Sequence, residues 1–515
     1  MEKLSLAGRS ADWTYIKAYD CYVLEMVVYC QYPAVPRQQC MNIYVPALFL
    51  DEAGNMRDGM NKNGYTARTV PVIFENGLAG YQEAEPFGAD DGRSAAVDFL
   101  KAGFVYVSCG CRGRSSTDKN GTLCGKSPAS LVDLKAGIRF LKGNAAFLPG
   151  DMNKIVSVGI SAGGAMSALL GSTGNSKNYV DELKEIGALM EETDDVFAAQ
   201  CYCPIIDLDH ADFAYEWMFL GRVHYDGMPF VGFEEGILTP FCQALSDQMG
   251  RGYVDYFNAL GLKHPETGKP VKLECGHGGS GYAYLMKQLE KSASRFFKKL
   301  EQGEILPGCG VDNYLHGKYE TEQFSPVKKA FVRVPGVDKS GWLSWDGKQA
   351  SITSLADMQI SYLTRLKKCP AFDDLELIQA ENQEFGTPEM DRMHFNTELF
   401  ALFEKLSLQF PQEVKQYLKE YQAPIGDTGL AKRKYLINPL NYVGTGETCD
   451  LAPHFRIRVG SRDADTSMLM TVILALKLMQ TGKTDVDYKI VWDEAHGRAD
   501  YPGEVTAWVA DIGKL

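Results

Sequence analysis

The N-terminal part of the chain alternates short apolar runs with helical patterns. Residues 22–29 and 40–46 predict an initial pair of strands, and later continuous apolar runs are typical of buried parallel strands. Hydrophobic residues at helical spacing between 130 and 142 predict a helix. The later predicted strands lie at 70–74, 104–108 and 198–206. Strands that alternate with helices are typical of a doubly wound, mostly parallel α/β sheet.

This alternation stops at about residue 208 and resumes near 454. The intervening segment is far longer than a connection inside a compact sheet. It contains helical patterns and aromatic-rich irregular stretches, so we predict an inserted cap at 208–453 and a catalytic domain formed by 1–207 and 454–515. A cap over the carboxyl ends of the strands would supply most of a substrate pocket. The predicted cap helices lie at 283–302, 352–366 and 397–423.

After the insertion, the pattern again predicts a parallel strand pair. Residues 455–459 and 488–493 are β-rich, and residues 466–479 have the composition of the crossover helix that such a pair requires. A final helix is predicted at 502–510. The chain therefore returns to the sheet before it ends.

Residues 154–171 combine an apolar run, a Gly-x-Ser-x-Gly turn and small residues at helical spacing. This order predicts a nucleophile elbow, in which Ser161 occupies a strained turn between a strand and a helix. Gly159, Gly163 and Gly164 provide the space that the two backbones need. We therefore predict that Ser161 is the nucleophile of an α/β-hydrolase fold.

A serine nucleophile requires a histidine base and an orienting carboxylate. In the α/β-hydrolase order both follow late strands, which favours Asp463 and His496. His454 is a weaker candidate because it precedes a strand. Asp465 has an alternative interpretation, since it could cap the helix that begins at Thr466.

The oxyanion of an acyl-transfer intermediate requires backbone donors. The N–H of Ala162, directly after the nucleophile, is the first candidate. The second should lie in the loop after the strand at 70–74, where Gly77 or Leu78 is the expected donor.

Composition excludes several classes of partner and of site. The 515 residues carry 53 basic and 66 acidic side chains, for a formal charge of −13, so neither nucleic acid nor a membrane is an expected partner. Residues 1–25 are too charged for a signal peptide, which favours a cytoplasmic location. The 13 cysteines have neither a disulfide framework nor zinc spacing. We expect reduced thiols, no metal and no cofactor, and we interpret Cys201 and Cys203 as core thiols.

Several segments together resemble one family. The sequence DLKA at 133–136, the elbow at 159–171, and residues 202–207, 458–465 and 492–497 are similar to bacterial tannases and tannase-like esterases. Fungal relatives carry cysteines beside the catalytic serine and histidine, whereas Ile160 and Gly497 occupy those positions here. The resemblance implies an intracellular bacterial type that hydrolyses small esters of phenolic acids such as gallate.

The resemblance also implies residues that hold the hydroxyls of a galloyl ring. Asp465 matches the family's aspartate, while Lys367 or Lys368 and Glu381 match its lysine and glutamate. Carboxylates suit phenolic donors, and an ammonium suits their oxygens. The alternative for Lys367, Lys368 and Glu381 is that they are solvated surface charges.

Other functions remain open from the residues. A feruloyl, other aryl or carboxyl esterase would use the same triad, as would a serine peptidase of the oligopeptidase type. A catalytically inactive hydrolase fold that binds a ligand is a third possibility. Reaction of Ser161 with a fluorophosphonate would separate the enzymes from the binding protein.

Overall fold

The computed structural model describes residues 4–57, 59–92, 94–228, 234–325 and 330–515. Its strands are β1 (Thr14–Ile16), β2 (Cys21–Val28), β3 (Cys40–Pro46), β4 (Pro71–Asn76), β5 (Val105–Cys109), β6 (Asp151–Ile160), β7 (Ala198–Tyr202), β8 (His224–Tyr225), β9 (Gly236–Ile237), β10 (Glu320–Ser325), β11 (Ala330–Pro335), β12 (Leu343–Trp345), β13 (Ala350–Ile352), β14 (His454–Gly460) and β15 (Asp485–Val491).

The helices occupy both the sheet region and the insertion. They are α1 (Ala96–Lys101), α2 (Ala129–Gly143), α3 (Ala162–Ser172), α4 (Val180–Glu185), α5 (Leu208–Met218), α6 (Pro240–Ala259), α7 (Gly279–Glu301), α8 (Val311–Leu315), α9 (Leu355–Met358), α10 (Ala380–Glu384), α11 (Glu398–Leu406), α12 (Pro411–Glu420), α13 (Gln422–Gly426), α14 (Thr428–Leu436), α15 (Met468–Thr481) and α16 (Glu504–Ile512). None of the helices in the described ranges is both long and apolar enough to cross a bilayer.

Nine strands form the central sheet in the order β1-β2-β3-β5-β4-β6-β7-β14-β15. The six strands from β5 to β15 are parallel, and β1, β2 and β3 extend one edge in antiparallel register. Every residue of β4, β5 and β7 is buried, as expected for strands covered on both faces. The predicted doubly wound, mostly parallel α/β sheet is confirmed.

The order of the strands brings the ends of three connections together. β14 lies between β7 and β15, so the turns that follow β14 and β15 lie next to the turn after β6. Helix α3 packs against β6 and β7, and α15 packs against β14 and β15. The candidate nucleophile, acid and base therefore come from neighbouring strand ends, where α/β sheets bind ligands.

Residues 208–453 contribute helices α5–α14 and three two-stranded sheets. In the described part of this segment, no strand joins the central sheet. Helix α5 packs against α6 and also contacts α15, which connects the insertion to the sheet's own helices.

Two of the predicted helices in the insertion are wrong in extent. The helix expected at 352–366 is reduced to α9, because the backbone beyond it bonds elsewhere: the N–H of Leu366 donates to Tyr215, and the carbonyl of Arg365 accepts from Asp226. The helix expected at 397–423 is divided into α11, α12 and α13. Pro411 lacks an N–H and disfavours helical geometry in Phe410, whose backbone is not helical, so α12 starts as a separate helix after α11.

Candidate active site

Ser161 sits on a tight turn between β6 and α3. Its φ of +60° and ψ of −121° are unusual for a residue with a side chain and indicate a strained backbone. The turn is held because the N–H of Ser161 donates to the carbonyl of Tyr202 at 3.0 Å. A Cβ on Gly159 would lie 2.1 Å from the carbonyl oxygen of Gly163, and a Cβ on Gly164 would lie 2.3 Å from that of Tyr202. Glycine is therefore required at both positions for this approach of strand and helix.

The side chains of Ser161, His496 and Asp463 form a continuous hydrogen-bonded chain. Nε2 of His496 lies 2.8 Å from Oγ of Ser161, and Nδ1 lies 2.9 Å from Oδ2 of Asp463. Asp463 is fully buried, and its other oxygen accepts the N–H of Asp465 at 3.0 Å. This arrangement orients the imidazole with one nitrogen towards the carboxylate and the other towards the hydroxyl.

The loops that carry the acid and the histidine are bonded directly to each other. The N–H of Arg462 donates to the carbonyl of Glu494 at 2.9 Å. A Cβ on Gly460 would lie 2.1 Å from that carbonyl oxygen, so a glycine at the end of β14 is needed for the histidine loop to pack directly against the strand's backbone. Because both loops leave adjacent parallel strands, this contact sets the distance between Asp463 and His496.

The charges around His496 stabilise its protonated form. Burial lowers the pKa of His496, but the carboxylates of Asp463 and Asp465 outweigh burial and raise the pKa well above its usual value. The imidazole becomes a free base only as pH rises through that pKa, because the protonated ring has no lone pair for the proton of Ser161.

Cys203 was interpreted from the sequence as a core thiol, and it is fully buried. It also lies beside the histidine: Sγ is 3.9 Å from Nε2 of His496 and donates to the carbonyl of Gly497 at 3.3 Å. Sequence reasoning missed this contact. The signal for it was the position of Cys203 directly after a strand that neighbours the elbow strand.

The predicted oxyanion donors belong to the residue after the nucleophile and to the loop after β4, which is bonded to the elbow. Ala162 is the first residue of α3, where backbone N–H groups have no partner within the helix. The loop after β4 is tied to the elbow, since the carbonyl of Leu78 accepts the N–H of Gly163 at 3.0 Å. The N–H of Leu78 has a long contact of 3.4 Å with Asn76 Oδ1, and a Cβ on Gly77 would clash with Phe87.

Three charged side chains lie close to one another beside the triad: Lys367, Glu381 and Asp465. We call them the ring-ligand group, after the role that the family resemblance predicts for them. Nζ of Lys367 lies 3.5 Å from Oδ1 of Asp465, and it also lies 4.2 Å from the centre of the Phe372 ring. Burial raises the pKa of Asp465, but the charges of His496 and Lys367 lower it below its usual value. The pKa of Glu381 lies above its usual value because burial raises it. Lys367 partly offsets this effect, and Asp465 adds to it. The three charges therefore act on one another.

The structure separates the two candidate lysines. Lys368 points away from Asp465 and lies 3.0 Å from both Asp374 and Glu376. Lys367 is only 6% exposed and faces Asp465. Asp465 itself does not cap α15, because the N-cap position belongs to Ser467, whose side chain accepts the N–H of Leu469.

Other candidates from the sequence lie away from this group. His454 begins β14 and pairs with Asp485 at 3.5 Å. All 13 cysteines lie in the described ranges and are free thiols. Among the described residues, one cluster of possible metal ligands places Cys203, Asp463 and His496 within 4.8 Å of one another. Both imidazole nitrogens in that cluster already face Asp463 and Ser161.

Comparison with known proteins gives the chain a family. The BD-FAE family model, which describes esterases, matches residues 67–211. No curated protein sequence matches this chain. Among solved structures, a tannin acyl hydrolase from Lactobacillus plantarum is similar, with 31% identity, a TM-score of 0.77, and coverage of 96% of this chain and 94% of that chain.

Two further structures agree with this result. A tannase from Fusobacterium nucleatum is 29% identical with a TM-score of 0.77, and each chain is covered over 100% of its length. A tannin acyl hydrolase in complex with ethyl gallate is 29% identical with a TM-score of 0.77, covering 97% of this chain and 96% of that chain. Fold, length and sequence agree across these proteins, so this chain belongs to the bacterial tannase family and is a carboxylic ester hydrolase that acts on phenolic esters.

Proposed function

We propose that this enzyme hydrolyses galloyl esters by two-step acyl transfer, with Ser161, His496 and Asp463 as its triad. The observation that carries the galloyl assignment is the ring-ligand group. Asp465 follows the candidate acid by two residues and is hydrogen-bonded to it, so a ring bound there lies close to the nucleophile. A relative has been solved with ethyl gallate, which supports the same class of substrate.

In the first step, His496 removes the proton of Ser161 as Oγ attacks the ester carbonyl. The oxyanion is held by the N–H of Ala162 and by an N–H from the loop at Gly77 and Leu78. His496 then gives the proton to the departing alcohol, which leaves an acyl-enzyme. Water, deprotonated by His496, then attacks the acyl-enzyme, and return of the proton to Ser161 releases the phenolic acid.

The ring-ligand group gives this site its selectivity. Phenolic hydroxyls donate to the carboxylates of Asp465 and Glu381, and their oxygens accept from Lys367. A methoxy group in place of a hydroxyl removes a donor and leaves a buried carboxylate oxygen without a partner. Such a loss separates related substrates strongly, because the site's own polar groups are left unpaired.

Residues 208–453 act as the cap domain in this proposal, with 1–207 and 454–515 as the catalytic domain. Lys367 and Glu381 belong to the cap, whereas Asp465 belongs to the catalytic domain. The ring is therefore held between the two parts, and the triad lies beneath it.

The test compares kcat/KM for methyl gallate, methyl ferulate and p-nitrophenyl acetate. We expect a strong preference for methyl gallate in the wild type and loss of all three activities in Ser161→Ala. Lys367→Met should lower the gallate activity at least tenfold, and the adjacent Lys368→Met is its matched control because Lys368 pairs with Asp374 and Glu376 instead.

The possible outcomes separate the claims. Equal activity on gallate and ferulate, or a bias towards ferulate, would leave a serine esterase and refute the galloyl assignment. Equal losses in the two lysine variants would contradict the assigned role of Lys367. Full activity of Ser161→Ala would refute the assignment of Ser161 as the nucleophile and, with it, the proposed triad.

A further inference from the structure

Lys367 lies on an irregular loop, yet its main chain is anchored on both sides. Its N–H donates to the hydroxyl of Tyr215 at 2.9 Å, and its carbonyl accepts from Nε of Arg365 at 2.7 Å. The direction of the lysine side chain is therefore set by Tyr215, which lies behind the loop, and by Arg365, which lies two residues earlier in the loop itself.

Tyr215 connects this loop to the turn that carries Asp465. Its hydroxyl accepts the N–H groups of Leu366 at 3.1 Å and Lys367 at 2.9 Å, and it donates to the carbonyl of Ala464 at 3.0 Å. A hydroxyl has one donor and two acceptor sites, so this group is fully used. Tyr215 is completely buried, and the cap loop and the acid turn therefore meet at a single oxygen atom.

The second anchor is a buried ion pair between Arg365 of the loop and Glu216 of α5, the helix that also carries Tyr215. Both guanidinium NH₂ groups of Arg365 contact the carboxylate of Glu216, at 2.7 and 2.6 Å, and both side chains are fully buried. A bidentate pair has one preferred geometry, which fixes the Nε that bonds to Lys367. Tyr215 and Glu216 are adjacent in α5, so one helix turn supports both ends of the Lys367 main chain.

We propose that Tyr215 is a positioning residue that determines selectivity for the hydroxylated ring, by holding Lys367 against the turn that carries Asp465. This inference rests on the proposed galloyl function. Tyr215 acts through the two loops and not through contact with the substrate. Its hydroxyl sets the spacing of a cation and an anion that must bind neighbouring ring hydroxyls together.

The experiment measures kcat/KM for methyl gallate and p-nitrophenyl acetate in Tyr215→Phe. The ring keeps its packing against Phe219 and Phe372, so the variant removes only the hydroxyl. We expect the gallate value to fall at least tenfold, mainly through KM, while the acetate value changes less than threefold. Tyr253→Phe is the matched control, because within the described ranges that buried hydroxyl has a single hydrogen-bond contact, with the sulfur of Met470 at 3.7 Å.

A double-mutant cycle with Lys367→Met tests whether Tyr215 acts through the lysine. If it does, Tyr215→Phe should lower gallate activity in the wild-type background and have less than a twofold effect in the Lys367→Met background. Equal losses on both esters would overturn the inference, since they would show an effect on the triad through Ala464.

The remaining outcomes distinguish this inference from the proposed function. An unchanged gallate preference in Tyr215→Phe would overturn the inference alone. A wild-type enzyme without gallate preference would overturn the proposed function and, with it, the selectivity role of Tyr215.

Discussion

Replacing Asp463 with asparagine tests how the acid controls the histidine. One carboxylate oxygen accepts the N–H of Asp465 at 3.0 Å, and the other faces Nδ1 of His496 at 2.9 Å. If the amide oxygen keeps the first bond, the amide NH₂ faces Nδ1, which must then become an acceptor. The ring proton moves to Nε2 and points at Ser161, so the base is lost.

The opposite amide orientation is unfavourable. It would place the NH₂ group against the N–H of Asp465 and leave a buried donor unsatisfied, at a cost of about 1–3 kcal/mol. The wrong tautomer is therefore retained. A cost of about 1–3 kcal/mol favours that tautomer by about 5- to 150-fold. We therefore expect kcat to fall by at least about tenfold, up to the roughly 10⁴-fold, or about 5.5 kcal/mol, that accompanies a fully trapped histidine in a serine protease triad.

The assay is kcat for p-nitrophenyl acetate, together with the rate at which a fluorophosphonate labels Ser161. Thermal unfolding establishes that the variant is folded. Asp485→Asn is the control, because Asp485 also faces a histidine, His454, but at the opposite end of the same two strands. A loss smaller than about tenfold in folded Asp463→Asn would refute the tautomer argument, as would an equal loss in the control.

The remaining predictions concern the pH profile, the elbow and a buried carboxyl. In the wild type, kcat/KM should rise with pH through a value above 6.5, because the surrounding charges raise the pKa of His496; a rising limb below pH 6 would contradict this. Gly159→Ala should abolish activity and lower Tm, because its Cβ would lie 2.1 Å from a carbonyl oxygen, whereas Gly341→Ala should change neither, since its Cβ would meet no described atom within 4 Å beyond its chain neighbours. Burial and then Asp493 and Asp500 raise the pKa of Glu494 from 4.5 to about 7. The neutral carboxyl therefore stabilises the fold at low pH, and this contribution is lost as pH rises from 4.5 through 7. Between pH 5 and pH 8, the free energy of unfolding of Glu494→Gln in urea should rise by about 1–3 kcal/mol relative to that of the wild type. Parallel plots of unfolding free energy against pH for the two proteins would refute the assignment.

The sheet and the elbow were predictable because their signals are local. Continuous apolar runs identify buried strands, and Gly159, Gly163 and Gly164 identify a place where two backbones approach. The positions of Asp463 and His496 followed from the order of strands, since parallel strands end at one edge of a sheet. The structure brings these residues within hydrogen-bond distance of Ser161 through that order.

The insertion was less predictable because its backbone bonds to distant residues. The residues after α9 have helical composition, but Leu366 bonds to Tyr215 instead of to its own helix. Cys203 was likewise predicted as a core residue from the apolar strand around it, and only the packing of the histidine loop places it beside His496.

The sequence by itself determined the fold class, the family and the strand ends from which the candidate triad comes. It could not separate Lys367 from Lys368, because adjacent lysines in an irregular loop have the same local chemistry. Tertiary structure separated them through Tyr215 and Arg365, which orient one side chain towards Asp465 and leave the other with Asp374. Local patterns specify where strands and turns form, whereas the direction of a loop side chain also depends on hydrogen bonds to residues far away along the chain, such as Tyr215.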